Sequence, residues 1–170
     1  MKWILWIGGS LAALVVLIVG FGASLPKEHV ATRRARYKQP SEALFALISG
    51  AQDWRPQVKK FEQLPDRDGR RMWKETDARG DVITYEVMES LAHSRYVTRI
   101  ADPDLPFGGR WVFALKPADG GTEVEITEEG EIYNLIFRAL AKLVFGYTSS
   151  IEDYLKALGQ KVGEQTTPEA

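Results

Sequence analysis

The residue types most often used in catalysis and metal binding are scarce in this sequence. It contains no cysteine and two histidines, so disulfides, thiolate nucleophiles and cysteine-ligated metals are excluded. His29 lies just beyond an apolar N-terminal segment, and His93 lies between two predicted strands. Neither has the spacing of a catalytic triad or a metal site, so we interpret both as surface residues and expect no metal and no cofactor.

Three short motifs resemble binding loops but lack the necessary residues. Asp66-x-Asp68-Gly69 is similar to the start of a calcium loop, but Arg70 and Arg71 follow where an EF-hand needs a ligand. The Gly-Gly pairs at 108–109 and 120–121 lack the Lys and Ser of a phosphate-binding loop. We predict a hairpin loop for the first motif and turns for the other two.

Tyr85 and Glu128 are the titratable residues that could perform acid/base chemistry. Each falls on the apolar face of a predicted strand. General acid/base catalysis needs only two positioned titratable groups, so these two are the catalytic candidates if the protein is an enzyme. Burial would raise the pKa of the Glu128 carboxyl. The alternative is that Glu128 is a solvated charge at a strand end.

Large aromatic side chains fall at positions where they could bind a ligand. Their ordinary role is packing in the core, but several cannot all pack against one helix, and a buried tyrosine hydroxyl or indole N–H needs a polar partner. The candidate ligand-binding residues are Trp54, Trp73, Tyr85, Trp111, Phe113 and Phe137.

The N-terminal segment predicts a membrane span. Residues 3–25 contain no charged residue or histidine, and as a helix they would reach roughly 34 Å, enough to cross a hydrocarbon core of about 30 Å. We predict a single-pass transmembrane anchor over residues 1–26. The alternative is a cleaved signal peptide, with Lys2 as its basic region and Gly22-Ala23-Ser24 before the cleavage site, although the apolar run is longer than usual.

The charge distribution bears on topology and partners. Five basic residues between positions 27 and 38 favour a cytoplasmic main domain over an exported one by the positive-inside rule. The small residues Gly8 and Ala12, and Gly9 and Ala13, have the spacing of a weak homodimer contact between membrane helices. Residues 39–170 carry 16 basic and 22 acidic residues, which argues against nucleic acid as a partner.

The remaining chain predicts one α+β domain over residues 27–164, followed by a disordered tail at 165–170. Alternating apolar residues predict an antiparallel sheet, and a 3.6-residue period after Asn134 predicts a long C-terminal helix of about 28 positions. This helix would cover the sheet and leave an apolar pocket where the two do not meet. The predicted elements are a strand at 29–37, a helix at 42–49 opened by Pro40-Ser41-Glu42, and strands at 58–65, 70–78, 81–90, 95–101, 110–117 and 122–131.

Over roughly residues 29–160 the sequence resembles the SRPBCC or START-like superfamily, and its polyketide cyclase/dehydrase-like branch in particular. The resemblance rests on residues 40–45 after the first strand, Trp54-Arg55-Pro56-Gln57-Val58, the strand end Thr127-Glu128-Glu129-Gly130-Glu131, and residues 151–158. It implies the helix-grip fold of polyketide cyclases, coenzyme Q-binding proteins, lipid-transfer domains and birch-pollen-type allergens: a curved sheet that grips a C-terminal helix around a cavity. No active-site pattern accompanies it.

Three functions are consistent with this sequence. The first is a membrane-anchored protein that binds a hydrophobic small molecule or lipid between the sheet and the C-terminal helix. The second is a cyclase, aromatase or dehydratase that uses Tyr85 and Glu128. The third is a membrane-attached interaction module whose interior is filled by side chains.

Overall fold

The computed structural model describes residues 2–170 and combines one antiparallel sheet with α-helices. The helices are α1 (Lys2–Ser24), α2 (Ser41–Ser49), α3 (Leu135–Leu140) and α4 (Ser149–Lys161). The strands are β1 (Glu28–Tyr37), β2 (Val58–Arg67), β3 (Arg70–Asp77), β4 (Val82–Leu91), β5 (Arg95–Ile100), β6 (Phe107–Ala118) and β7 (Gly121–Ile132).

The sheet is built from successive hairpins, in the order β1-β7-β6-β5-β4-β3-β2, so the first and last strands are neighbours. The β2–β3 turn uses positive φ angles at Asp68 and Gly69 (53° and 74°), which suit a two-residue hairpin because their twist matches that of the strands. The seven predicted strands and the predicted helix at 42–49 are confirmed, but the turn predicted at Gly108 and Gly109 is wrong, because both residues pair with β7 inside β6.

The core lies between helix α4 and strands β1, β7, β6 and β5. One face of α4 carries Ile151, Leu155 and Leu158, which are fully buried against Ile126 of β7 and Leu44 of α2. Complete burial of each such side chain contributes about 1.5–3 kcal/mol. The C-terminal helix is thus held by the strands nearest to β1, while β2, β3 and β4 extend beyond this core cluster.

The predicted C-terminal helix is not continuous, which corrects the sequence analysis. Helix α3 runs into a π-helical turn at Ala141–Phe145, and Gly146 then takes a positive φ of 71° before α4 begins. The Gly146 N–H donates to the Ala141 carbonyl, five residues back, at 2.9 Å. The apolar period continues across this break because both helices bury a face, so periodicity alone did not reveal it.

The C-terminal tail also differs from the prediction of disorder over residues 165–170. The backbones of Glu169 and Arg34 exchange two hydrogen bonds, at 3.0 and 2.8 Å, along the outer edge of β1. Thr166 donates its hydroxyl to the Leu155 carbonyl of α4 at 3.3 Å. The tail therefore pairs with the edge strand, a pairing between distant residues that composition does not indicate.

The C-terminal end of α1 packs on α3. Gly22 is buried, and a Cβ there would overlap the Leu135 carbonyl, so only glycine permits this approach. Beyond this contact, the stretch Trp6–Ser24 has a mean hydropathy of 2.1 and lies almost entirely outside the core. By length and composition it could cross a membrane.

Candidate functional site

Five of the six predicted ligand-binding residues lie on the inner face of the sheet or next to it. Trp73 and Tyr85 are opposite each other on β3 and β4, and their rings stack at 5.3 Å. The other three surround Tyr154 of α4, with ring centroids 5.3–5.7 Å from its own: Trp54, Trp111 and Phe113. Two aromatic groups therefore face each other inside the fold, one on β3 and β4 and one around α4.

Phe137 does not join these residues. It lies on α3, is 37% exposed, and packs against Phe107 at 5.9 Å. Its ring belongs to the surface beside the end of α1, which sequence periodicity could not distinguish from the inner face.

A buried ion pair connects the two aromatic groups. Glu75 of β3 accepts a hydrogen bond from the Trp73 indole at 2.9 Å and pairs with Arg55, whose guanidinium lies 5.3 Å from the centre of the Tyr154 ring. Among the described residues, the buried Nε of Arg55 has no hydrogen-bond partner. A buried donor of this kind needs an acceptor, and a water molecule or a ligand oxygen would supply one.

Tyr85 is only partly covered by its neighbours. Its ring stacks on buried Trp73, and burial is the main cause that raises the pKa of its phenol above 10.0. The residue nevertheless keeps accessible surface, as does Trp111, whereas Phe113 and Trp73 are 4% and 5% exposed. Tyr85 and Trp111 are therefore the parts of the inner face that a bound molecule would contact.

Glu128 lies at one end of this inner face, in a cluster that sequence analysis did not predict. Its Oε1 is 3.4 Å from Nε2 of His29, and its Oε2 accepts a hydrogen bond from Ser150 of α4 at 3.2 Å. The His29 ring stacks on Tyr147 with centroids 4.1 Å apart. We refer to His29, Glu128 and Ser150 as the Glu128 cluster.

The interpretation of His29 as a surface residue is wrong. Its side chain is 11% exposed, because β1 pairs with β7 and sets His29 opposite Gly130. A Cβ on Gly130 would overlap the imidazole, so this glycine makes room for the ring. The histidine and the glycine are about a hundred positions apart, and only strand pairing brings them together.

Burial raises the pKa of the Glu128 carboxyl above its usual value of 4.5, and the neighbouring His29 and Ser150 lower it by less than burial raises it. A carboxyl of this kind keeps its proton to a higher pH than an exposed one. It can donate a hydrogen bond to a polar group or transfer a proton to a substrate. The alternative of a solvated strand end does not fit its side chain, which is 20% exposed.

Tyr85 and Glu128, the two catalytic candidates, both face the interior, and the Glu128 charge contributes to raising the pKa of Tyr85. The hydrogen bonds found within residues 2–170 include none between them, so a substrate would have to lie between the two groups for both to act. Over the same residues, no three His, Asp or Glu side chains are grouped closely enough to hold a metal ion.

Two of the grooves on the surface of the described residues lie elsewhere than between the sheet and α4. One, of about 590 Å³, runs along the outer face past Val30, Arg110 and Glu129, and the other, of about 400 Å³, lies beside Arg71 and Tyr96. Tyr154, which is 4% exposed, instead packs against Trp54, Trp111 and Phe113, so a ligand bound there would have to displace side chains.

Sequence reasoning did not place three polar residues in the interior: His29, Arg55 and Glu75. One signal was present, since Glu75 alternates with Trp73 on the apolar face of its strand. The others depend on pairings between distant parts of the chain.

No protein-family model matches the chain, and no curated protein sequence does. Solved structures do match it. A START superfamily protein from Mycobacterium smegmatis has a TM-score of 0.62 at 17% identity, covering 79% of this chain and 97% of that protein. Norcoclaurine synthase from Thalictrum flavum has a TM-score of 0.62 at 12% identity, with 85% and 91% covered.

A third similar structure is the di-domain ARO/CYC protein StfQ from the steffimycin biosynthetic pathway. Its TM-score is 0.59 at 12% identity, covering 80% of this chain and 52% of that one. At such identities the likeness identifies the fold. The START-like helix-grip fold that the sequence resemblance implied is therefore confirmed.

Proposed function

We propose that this protein is a membrane-anchored binding protein for a hydrophobic small molecule or lipid, held between the sheet and α4. The observation that carries the proposal is the placement of Tyr85 and Trp111, which pack against the buried rings of Trp73 and Tyr154 yet keep accessible surface. Aromatic walls with a few polar groups are typical of ligand sites. Here the polar groups are the Arg55 Nε and the Glu128 cluster, which suit a ligand with a polar end.

Thermal unfolding and native mass spectrometry of the detergent-solubilised full chain test this proposal. We expect a co-purifying mass, and stabilisation by members of a panel of phospholipids, fatty acids and quinones. At a ligand concentration of about 100 Kd, binding to the folded state alone contributes about 2.7 kcal/mol, or roughly 5–10 °C. If no mass is retained and no compound stabilises the chain, the binding proposal fails and an interaction module with a filled interior is favoured.

Two adjacent glutamates provide a matched control. Glu128 faces the interior, whereas Glu129 is 40% exposed on the outer face and pairs with Arg110 at 2.8 Å. Glu128→Gln should weaken binding of a ligand whose polar end contacts the Glu128 cluster, while Glu129→Gln should leave it unchanged. Equal effects of both substitutions would remove the cluster from the site.

A second candidate function is a cyclase-type enzyme, and the raised pKa of Glu128 favours it. In this function Glu128 and Tyr85 exchange protons with a folded polyketide-like substrate, and each such residue contributes about 10²–10⁴-fold to the rate. Turnover of a poly-β-ketone mimic that disappears in both Glu128→Gln and Tyr85→Phe would support it. Turnover unaffected by either substitution would exclude these roles.

The anchor is proposed as a retained helix rather than a cleaved signal peptide. Arg138 is 9% exposed, and its guanidinium donates to the carbonyls of Gly22 and Leu25 at 3.4 and 3.0 Å and to that of Ile132 at 2.8 Å. Cleavage after Ser24 would remove the Gly22 acceptor from this buried charge. A full-length mass for the membrane-extracted protein would agree with retention, and a mass lacking residues 1–24 would contradict it.

We propose that the Gly8 and Gly9 face of α1 makes a weak homodimer contact, since no other described part of the chain packs on it. We place the main domain on the cytoplasmic side, because the basic residues next to the anchor favour this orientation. The chain has no cysteine, so a single Ala51→Cys probe reports topology directly. Labelling by a membrane-impermeant maleimide only after permeabilisation would agree with this orientation, and labelling in intact cells would reverse it.

A further inference from the structure

An exposed apolar surface lies beside the end of the N-terminal helix. It is formed by Ile136 and Phe137 of α3 and by Leu143 and Val144 of the π-helical turn, which are 43%, 37%, 66% and 66% exposed. We call these four residues the α3 apolar surface. Contiguous apolar residues on an otherwise polar domain mark an interaction site.

The α3 apolar surface is held close to α1 by the contacts already described. Gly22 of α1 touches the backbone of Leu135, and Arg138 donates hydrogen bonds to the last carbonyls of the α1 segment. Because these contacts join buried backbone atoms, α3 follows the end of α1. A bilayer crossed by α1 would therefore have its surface beside α3.

The residues around this surface suit the boundary between water and lipid. Lys27 lies 4.6 Å from the centre of the Tyr133 ring, and Tyr133 is 45% exposed. Lys142, on the π-helical turn, is also exposed. Tyrosine is enriched at membrane interfaces, and lysine can reach lipid phosphates while its stem lies on apolar surface.

We infer that the α3 apolar surface inserts into the membrane interface beside α1 and fixes the orientation of the domain on the bilayer. The partner is the bilayer itself. This inference rests on the anchor in the proposed function and adds a second membrane contact. It also sets the Glu128 cluster near the membrane, because His29 is the second residue of β1, just after the anchor, and Ser150 follows the π-helical turn. A hydrophobic ligand would then reach the interior from the lipid side.

The absence of native cysteine allows single-site fluorescent probes in the full chain. We would attach an environment-sensitive dye to Leu143→Cys and, in separate samples, to Leu14→Cys in α1 and Leu91→Cys. Leu91 is a matched control, because it is 53% exposed and lies at the opposite end of the sheet. Each protein would be placed in nanodiscs holding one copy, with and without lipids that carry a nitroxide quencher. The quencher would be near the glycerol level for the Leu143 and Leu91 probes and near the acyl-chain end for the Leu14 probe, which lies about 15 Å from the end of α1.

We expect the Leu143 probe to emit at shorter wavelength and to lose at least half its intensity to the quencher, since an interfacial segment reaches about 5–10 Å into the headgroup and acyl boundary. The Leu91 probe should show neither change. Adding Phe137→Ser and Val144→Ser should reduce the quenching at Leu143. Quenching at Leu14 that is absent at Leu143 would overturn this inference and leave the anchor intact.

Absence of quenching at Leu14 would contradict the anchor, and so the proposed function with it. Shielding of the Leu143 probe without quenching by the nitroxide lipid would identify a protein contact instead of lipid and would also overturn the inference. Because each nanodisc holds one copy, a second chain cannot produce the expected result.

Discussion

Replacing Arg138 should uncouple the N-terminal helix from the domain and destabilise the fold. The Arg138 guanidinium serves three carbonyls, those of Gly22, Leu25 and Ile132. Arg138→Met keeps the apolar stem but leaves these acceptors without the charged donor. A buried polar group left unpaired costs about 1–3 kcal/mol, and the two carbonyls at the end of α1 can gain water, so we expect a loss of about 2–4 kcal/mol in the free energy of unfolding. For a chain of this length that corresponds to roughly 5–15 °C in Tm.

The assay is thermal unfolding of the full chain in detergent, followed by near-ultraviolet circular dichroism, with amide exchange measured near Leu25. Arg36→Met is the control, because Arg36 is 76% exposed and its pair with Glu123 at 3.2 Å is a surface contact worth less than about 1 kcal/mol. The Tm of Arg138→Lys should lie between those of wild type and Arg138→Met, since the lysine ammonium can replace some of the hydrogen bonds of the guanidinium. An unchanged Tm and unchanged exchange in Arg138→Met would refute the proposed role of this residue.

Three further predictions concern the interior. Because burial raises the pKa of Glu128 above 4.5, the folded state binds more protons than the unfolded state just above that pH. The contribution of Glu128 to stability therefore falls as pH rises through its folded pKa. The Tm of Glu128→Gln relative to wild type should increase with pH across this range, whereas the relative Tm of Glu129→Gln should not. Gly130→Ala should push the His29 ring away from Glu128. The nuclear magnetic resonance chemical shifts of the His29 imidazole should then change, while the chemical shifts of the strand amides stay the same. Unchanged imidazole shifts would contradict the predicted overlap. Leu155 is fully buried, so Leu155→Ala should lower the free energy of unfolding, measured by denaturant titration, by about 2–5 kcal/mol. A loss below about 1 kcal/mol would mean that α4 is not packed in the core as described.

Local pattern was sufficient for most of the secondary structure. The strand predicted at 58–65 is β2 at Val58–Arg67, and the helix predicted at 42–49 is α2 at Ser41–Ser49. Strand alternation reflects burial of one face, and a hairpin joins neighbours in sequence, so both can be inferred over a short window. The resemblance to START-like proteins predicted that the sheet packs around the C-terminal helix.

The sequence by itself also determined the apolar length of α1 and the choice of aromatic residues for the inner face, because these depend on residue type and on a period of two or 3.6. Only tertiary structure decided the break at Gly146, the burial of His29 and the capture of α1 by Arg138. Each depends on residues far apart in the chain. His29 contacts Glu128 only because β1 pairs with β7, and Arg138 donates to the Leu25 carbonyl only because α3 packs on α1. The stabilising free energy of such a contact depends on both of its residues together, so the sequence pattern around either residue alone does not predict it.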